Sequence, residues 1–344
     1  MLSAIYQHKQ NPISAPNQIN NNRVREITSK KIKVLFTGGG GAGSEALWCL
    51  LEQRYTLYFG DADLQAIDPV IPADRRILLP WASDPKFIEK IGGLCRDLKI
   101  DLLIPGVDEE LLVLARSAEA LAPTRLLLPK ADYVEVMLDK LHMVRALSAK
   151  KIQVPFTKTL ADDFGGFSFP CISKPRCGRG SRDVRELSSI SEAISLKTAL
   201  GPFARQMLMQ EKIKGTEYTV QMIADAHGRL CAVVPVRVGM KRGITLRAET
   251  EAEPRVAEAC CAVHQAISAE GCYNIQLMLT PKGDIFPFEI NPRVSTTLCL
   301  VVASGIDPIA IFLKENHPKE LRQFNSGLKL SRHWKNIIKK GEQS

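Results

Sequence analysis

The 344-residue sequence has no apolar run near the roughly 20 residues that a membrane-spanning helix needs, so a soluble chain is expected. It also lacks any C-x-x-C pair. Its nine cysteines are scattered, their number is odd, and Cys260 and Cys261 are adjacent, which speaks against both a disulfide framework and a zinc site. Cys49, Cys171, Cys231 and Cys299 sit in apolar runs, where a thiol behaves as a small hydrophobe, and a reducing, cytoplasmic setting is expected. Aromatics are few, at 6%, and no basic run is interleaved with them. The net charge of +9 is therefore not the footprint of a nucleic-acid binder, and phosphate-bearing small ligands are the more attractive partners. Residues 1–30 have no apolar core and read as a flexible polar tail. They carry no secretory signal and are neither Arg-rich nor visibly amphipathic, as a transit peptide would be.

What is present is an ordinary globular composition, 45% hydrophobic and 24% charged, in a chain long enough for two or three domains. Between residues 31 and 130, short apolar runs alternate with helical patterns, which predicts an α/β domain built on a parallel, doubly wound sheet. In its clearest helix Asp84 is placed as N-cap, with Pro85 at the first helical position and Phe87, Ile88, Ile91, Leu94, Cys95 and Leu98 on one face. The stretch "KVLFTGGGGAGSEALWCLLE" matches a dinucleotide-binding fingerprint through Gly38, Gly40 and Gly43, with Asp61 where a ribose-binding acid would stand. A helical stretch at 131–150 then leads into an α+β region of hairpin-joined antiparallel strands, interrupted by a helix at about 252–270.

Three constellations carry chemistry. In "FPCISKPRCGRGSRDV" a strand delivers Lys174 and a loop with Gly178, Gly180 and Ser181, whose backbone N–H groups can approach phosphate oxygens. The lysine precedes the glycines, so this is no Walker loop, and the readings are a flap between two strands or an ordinary glycine-rich hairpin. In "YNIQLMLTPKGDIFPFEINPR" strand alternation puts Glu289 and Asn291 on one face and Phe286, Phe288 and Ile290 on the other. A hairpin closed by "PKGD" pairs Thr280 with Ile285 and sets Gln276 opposite Glu289. One carboxylate and two amide oxygens are hard donors that suit Mg2+, and Arg293 on the same face can neutralise a transferring phosphoryl group. The alternative there is an edge-strand salt bridge with a solvated acid. In "MQEKIKGTEYTV" Gln210, Glu211 and Ile213 form a hinge able to meet an adenine edge while Glu217 accepts from ribose, a pattern unspecific by itself.

In order and spacing, "DKLHMVRALSAKKIQVPFTKT", "SKPRCGRGS", "QEKIKGTEYTV" and "QLMLTPKGDIFPFEINPRVS" resemble the ATP-grasp superfamily, and most closely one synthetase unit of a carbamoyl-phosphate synthase large subunit. The resemblance implies a pre-ATP-grasp, Rossmann-like domain at 31–130 and an ATP-grasp domain at 131–344, with subdomains at about 155–210 and 211–335. It also implies a stand-alone unit without a second half or a glutamine amidotransferase domain. By the resemblance Lys140 and Lys174 contact ATP phosphates and the loop from Arg176 to Ser181, with Gly178 and Gly180, covers them. Gln210, Glu211 and Ile213 hold adenine and Glu217 the ribose. Gln276, Glu289 and Asn291 ligate Mg2+, with Mn2+ as a substitute, and Arg293 and Arg237 act at the transferring phosphoryl group. Arg242 and Thr245 belong to a substrate-side loop. Asp183 stands where the family commonly has glycine. The implied activity is an ADP-forming carboxylate–amine ligase that uses an acyl phosphate, with amino-acid-like substrates. A homodimer is the general expectation for a soluble enzyme. An ATP-binding regulatory or scaffold protein is the alternative, and a nicotinamide oxidoreductase would rest on the glycine run alone. In the resemblance the first domain packs against the ATP-binding part and lines the acceptor side, so Asp61 need not meet a ribose.

Overall fold

The computed structural model describes residues 31–313, 320–334 and 336, so the tail expected at 1–30 lies outside the described residues. Five short strands open the fold: β1 (Lys33–Thr37), β2 (Thr56–Asp61), β3 (Arg76–Leu78), β4 (Leu102–Ile104) and β5 (Arg125–Leu126). All their pairings are parallel, in the order β3-β2-β1-β4-β5, which is a doubly wound sheet with its switch point between β1 and β4. Val34, Leu35 and Phe36 of β1 are buried, as a central strand covered on both faces requires.

The glycine run joins β1 to helix α1 (Ser44–Leu51), and its hydrogen bonds are consumed within the turn. Gly39 N–H donates to Gly60 O, Gly41 N–H to Gly38 O, and Gly40 N–H to Asp61 Oδ2 at 2.9 Å. A Cβ on Gly40 would lie 2.5 Å from the Cβ of Ala66, so glycine is required there by close packing. Asp61, which also accepts from Asp63 N–H, braces the turn.

Helix α2 (Phe87–Leu98) starts later than the sequence suggests. Asp84 and Pro85 form a turn before it, with Asp84 Oδ1 accepting from Lys86 N–H and Asp84 O from Phe87 N–H. Helix α3 (Asp108–Arg116) follows β4, and the stretch at 131–150 is two helices, α4 (Ala131–Leu138) and α5 (Lys140–Ala149). The break falls at Asp139, whose carboxylate caps α5 by accepting from Leu141 N–H at 2.9 Å. That cap fixes Lys140 at the start of a helix.

Two antiparallel sheets complete the molecule. The smaller joins β6 (Thr157–Thr159), β7 (Cys171–Pro175), β8 (Arg185–Leu187) and β9 (Met207–Glu211) in the order β6-β9-β7-β8, with helix α6 (Ile190–Leu200) beside it. The larger joins β10 (Thr216–Ala224), β11 (Leu230–Arg242), β12 (Ile244–Thr250), β13 (Cys272–Leu279), β14 (Ile285–Asn291) and β15 (Lys329–Ser331) in the order β14-β13-β10-β11-β12-β15. Helix α7 (Pro254–Ala266) packs with α4 and α5 on its one face, burying Val256, Cys260 and Val263 against Val220, Met222 and Ile275. On the other face Ala232, Val234 and Val236 share a core with Val34, Phe36 and Phe59 of the parallel sheet. Of the cysteines read as small hydrophobes, Cys171, Cys231 and Cys299 are buried, whereas Cys49 lies on the exposed side of α1. No helix among the described residues is long and apolar enough to cross a membrane.

Candidate active site

The two antiparallel sheets enclose a cavity of about 1020 Å³, large enough for a nucleotide and a second small molecule. Strand geometry decides what faces it. In the β13–β14 hairpin Gln276 lies opposite Glu289 and Asn274 opposite Asn291, as alternation predicts. Near the turn the expected register fails: Leu279, not Thr280, pairs with Ile285, and a bulge at Gln276/Leu277 restores the frame. The bulge absorbs one residue of β14, so Phe288 lines the cavity instead of packing behind it with Ile290.

Three lysine ammonium groups converge on this face. Lys174, on β7, is buried and donates to Phe288 O at 3.1 Å with its charge 5.3 Å from the Phe288 ring centroid. Burial pulls its pKa down to about 8, with Lys140 and Lys241 adding to the fall and Glu289 opposing it. Lys140 donates to Gly178 O at 2.8 Å and stands 3.7 Å from Glu289 Oε1. Lys241 donates to Glu217 Oε1 at 2.7 Å and to Gln276 Oε1 at 2.8 Å. Three positive charges and two carboxylates on one wall leave the site ready for an anion of high charge.

Gly178, Gly180 and Ser181 lie in a flap over this wall, together with Arg179 and Asp183. Gly178 and Gly180 have φ of 115° and 69°, and Ser181 and Asp183 both have φ of 55°. Asp183 therefore occupies a left-handed backbone position where glycine is unstrained, and aspartate is among the residues that tolerate it. Arg179 ties the flap to α3 through Glu109, Nη2 to Oε2 at 3.1 Å.

At the hinge after β9, Glu211 N–H is spent on Phe156 O, and Glu211 and Ile213 both line the cavity. Gln210 is buried and donates to Thr157 Oγ1, which fixes the strand below them. Asn291 donates through its amide nitrogen to Asn274 Oδ1, so its oxygen is the atom it could offer a cation. Carboxylate and amide oxygens suit Mg2+, whose coordination shell phosphate oxygens and waters would complete.

Of the residues singled out from sequence, Lys140, Lys174, Gly178, Gly180, Ser181, Gln210, Glu211, Ile213, Glu217, Gln276, Glu289, Asn291 and Arg293 all line the cavity, as do Arg242 and Thr245. Two do not. Arg176 pairs with Asp139, holding the α5 cap, and Arg237 is taken by Glu249 at 2.7 Å and Glu251 at 3.0 Å. Arg293 reaches the cavity but is bound by Asp108 of α3. Lys241, not singled out from the sequence, also lines the cavity. Lys241 and Arg242 stand at the end of β11 beside the turn at Gly243, and both line the cavity.

A family model described as ATP-grasp in the biosynthetic pathway with Ter operon matches residues 203–333. No curated protein sequence matches the chain. Among solved structures it is similar to the biotin carboxylase domain of 2-oxoglutarate carboxylase from Hydrogenobacter thermophilus, in complex with MgADP, ADP and bicarbonate. That likeness has a TM-score of 0.64 at 16% identity, over 86% of this chain and 73% of that one. The L-amino acid ligase from Bacillus licheniformis gives 0.61 at 17% identity, over 83% and 74%. A protein from Archaeoglobus fulgidus assigned to the ATP-grasp superfamily gives 0.55 at 14% identity, over 85% and 90%. With a parallel-sheet domain followed by two antiparallel sheets closing on a cationic cavity, this chain has the ATP-grasp fold.

Proposed function

We propose that the chain is an ATP- and Mg2+-dependent, ADP-forming ligase that joins a carboxylate to an amine through an acyl phosphate. The observation that carries the reading is the convergence of Lys140, Lys174 and Lys241 on Glu289 and Glu217 inside one cavity. In this reading residues 31–130 form the pre-ATP-grasp domain, and the two halves of the ATP-grasp domain meet at about residue 210. Ile213 N–H and Glu211 C=O address the adenine edge and Glu217 the ribose. Lys140 and Lys174 draw in the phosphates and the flap covers them. Glu289 and Asn291 are the residues that would hold Mg2+, which when bound would neutralise phosphate oxygens, and Gln276 stands opposite Glu289 on the neighbouring strand. Arg293, oriented by Asp108, faces the transferring group. The acceptor carboxylate attacks the γ-phosphorus as the bond to the ADP oxygen breaks. The amine then attacks the acyl carbon, loses a proton and expels phosphate. Lys174, buried in its strand, positions charge without a hydration shell to be stripped, which favours phosphoryl transfer by electrostatic preorganisation. The likeness to an L-amino acid ligase supports amino-acid-like acceptors.

Acceptor-dependent ADP release, screened over pairs of amino acids and small carboxylates with mass detection of the product, tests this. Glu289→Ala is expected to lower metal-dependent turnover by at least about a hundredfold with the near-UV circular dichroism retained. Turnover surviving in that variant would sink the metal assignment. ATP binding without acceptor-dependent ADP release would leave a nucleotide-binding regulatory protein instead.

A further inference from the structure

Lys241 and Gln276 meet on the cavity face of the larger sheet. Four side chains meet on the cavity face of the larger sheet: Lys241 on β11, Glu217 on β10, Gln276 on β13 and, opposite Gln276, Glu289 on β14. Among them, the Lys241 ammonium sits 2.8 Å from Gln276 Oε1 and 2.7 Å from Glu217 Oε1. Its side chain is 26% exposed, so solvent screens it poorly. A divalent ion on the same amide oxygen, at the roughly 2 Å typical of Mg2+, would be pressed against that ammonium with only a neutral amide between them. Glu289 and Asn291 are differently placed. Glu289 offers a carboxylate, and Asn291, two residues further along β14, spends its amide nitrogen on Asn274 Oδ1, so its oxygen is the atom it could offer a cation.

We propose that Lys241 stands in for one divalent cation, so that this chain binds its nucleotide with a single metal held by Glu289 and Asn291 while Gln276 serves the lysine. The inference rests on the ATP-site reading above. It makes Gln276 a positioning residue for a fixed charge that needs no metal supply.

The test counts Mn2+ bound by the full chain with a non-hydrolysable ATP analogue, by electron paramagnetic resonance of the free ion. The wild type is expected to take up a single Mn2+ per chain. Asn291→Ala should weaken it by about tenfold or more, whereas Gln276→Ala should leave its affinity within about twofold. Lys241→Met frees the amide oxygen and should admit a second Mn2+, which is lost again when Gln276→Ala is added. Two Mn2+ on the wild type, or a tenfold loss in Gln276→Ala, would overturn the proposal, and the latter variant decides even if Lys241→Met fails to fold. Absence of any nucleotide-dependent Mn2+ uptake by the wild type would instead bring down the ATP-site reading itself, and this assignment with it.

Discussion

Glu110 stands out among single residues. It is buried at the C-terminal ends of β1 and β4, where its Oε1 accepts from Thr37 Oγ1 and from the N–H groups of Gly106 and Val107, each at 3.1 Å. Burial outweighs these bonds and pushes its carboxyl up to about 7. Because the folded value exceeds the unfolded one, the group's contribution to stability is fully present below the usual carboxylate range and is lost as pH rises through about 7. Glu110→Gln keeps an acceptor and removes the titration. Relative to that variant, the wild type should lose on the order of 3 kcal/mol between pH 4 and pH 8, read as a growing difference in denaturation midpoint. Equal pH profiles for the two proteins would show that Glu110 is hydrated. The same scale shows how much of the site was legible from single residues. The carboxylate and amide donors and Lys174 announce themselves because hard oxygens and a lysine beside glycines have few structural uses in strands. Arg237 and Arg176 stand outside the cavity lining because an arginine's partner is set by whichever acid folds next to it, here Glu249 and Asp139.

At the level of elements, periodicity marked the longer strands of both sheet regions, whereas β12 falls where the resemblance implies a substrate-side loop. The β13–β14 pairing was legible because a period of two fixes which face Gln276, Glu289 and Asn291 share. The bulge that moves Phe288 was not, since a register shift between two strands leaves the alternation within each one unmarked. The flap has its own anchor in α3, where Glu109 holds Arg179 and the neighbouring Asp108 holds Arg293. The Arg179 and Glu109 side chains are 37% and 55% exposed, so the pair contributes no more than about 1 kcal/mol. Glu109→Gln is accordingly expected to weaken nucleotide binding by about two- to fivefold and to speed amide hydrogen exchange over residues 177–183. A loss beyond about tenfold, without faster exchange, would mean that Glu109 meets the nucleotide directly.

For the whole molecule, the core shared by the parallel sheet and the larger antiparallel sheet makes the two one cooperative body. Leu298 is buried among residues of both. Leu298→Ala should cost about 2–5 kcal/mol and lower the midpoint of both sheets together, monitored by denaturant titration with probes in each. Separate transitions would show that the shared core is dispensable. The sequence by itself determined the two architectures, the antiparallel pairing of the site strands and the residue types proposed to meet phosphate and metal, because periodicity and donor chemistry are local properties of the chain. Tertiary structure alone decided that the glycine run after β1 spends its amides on β2 and Asp61, that Arg237 is claimed by acids outside the cavity, and that Lys241 lies on Gln276. Each of those outcomes depends on which strands lie side by side and where a bulge shifts the register, and neither is encoded within any short stretch of the chain.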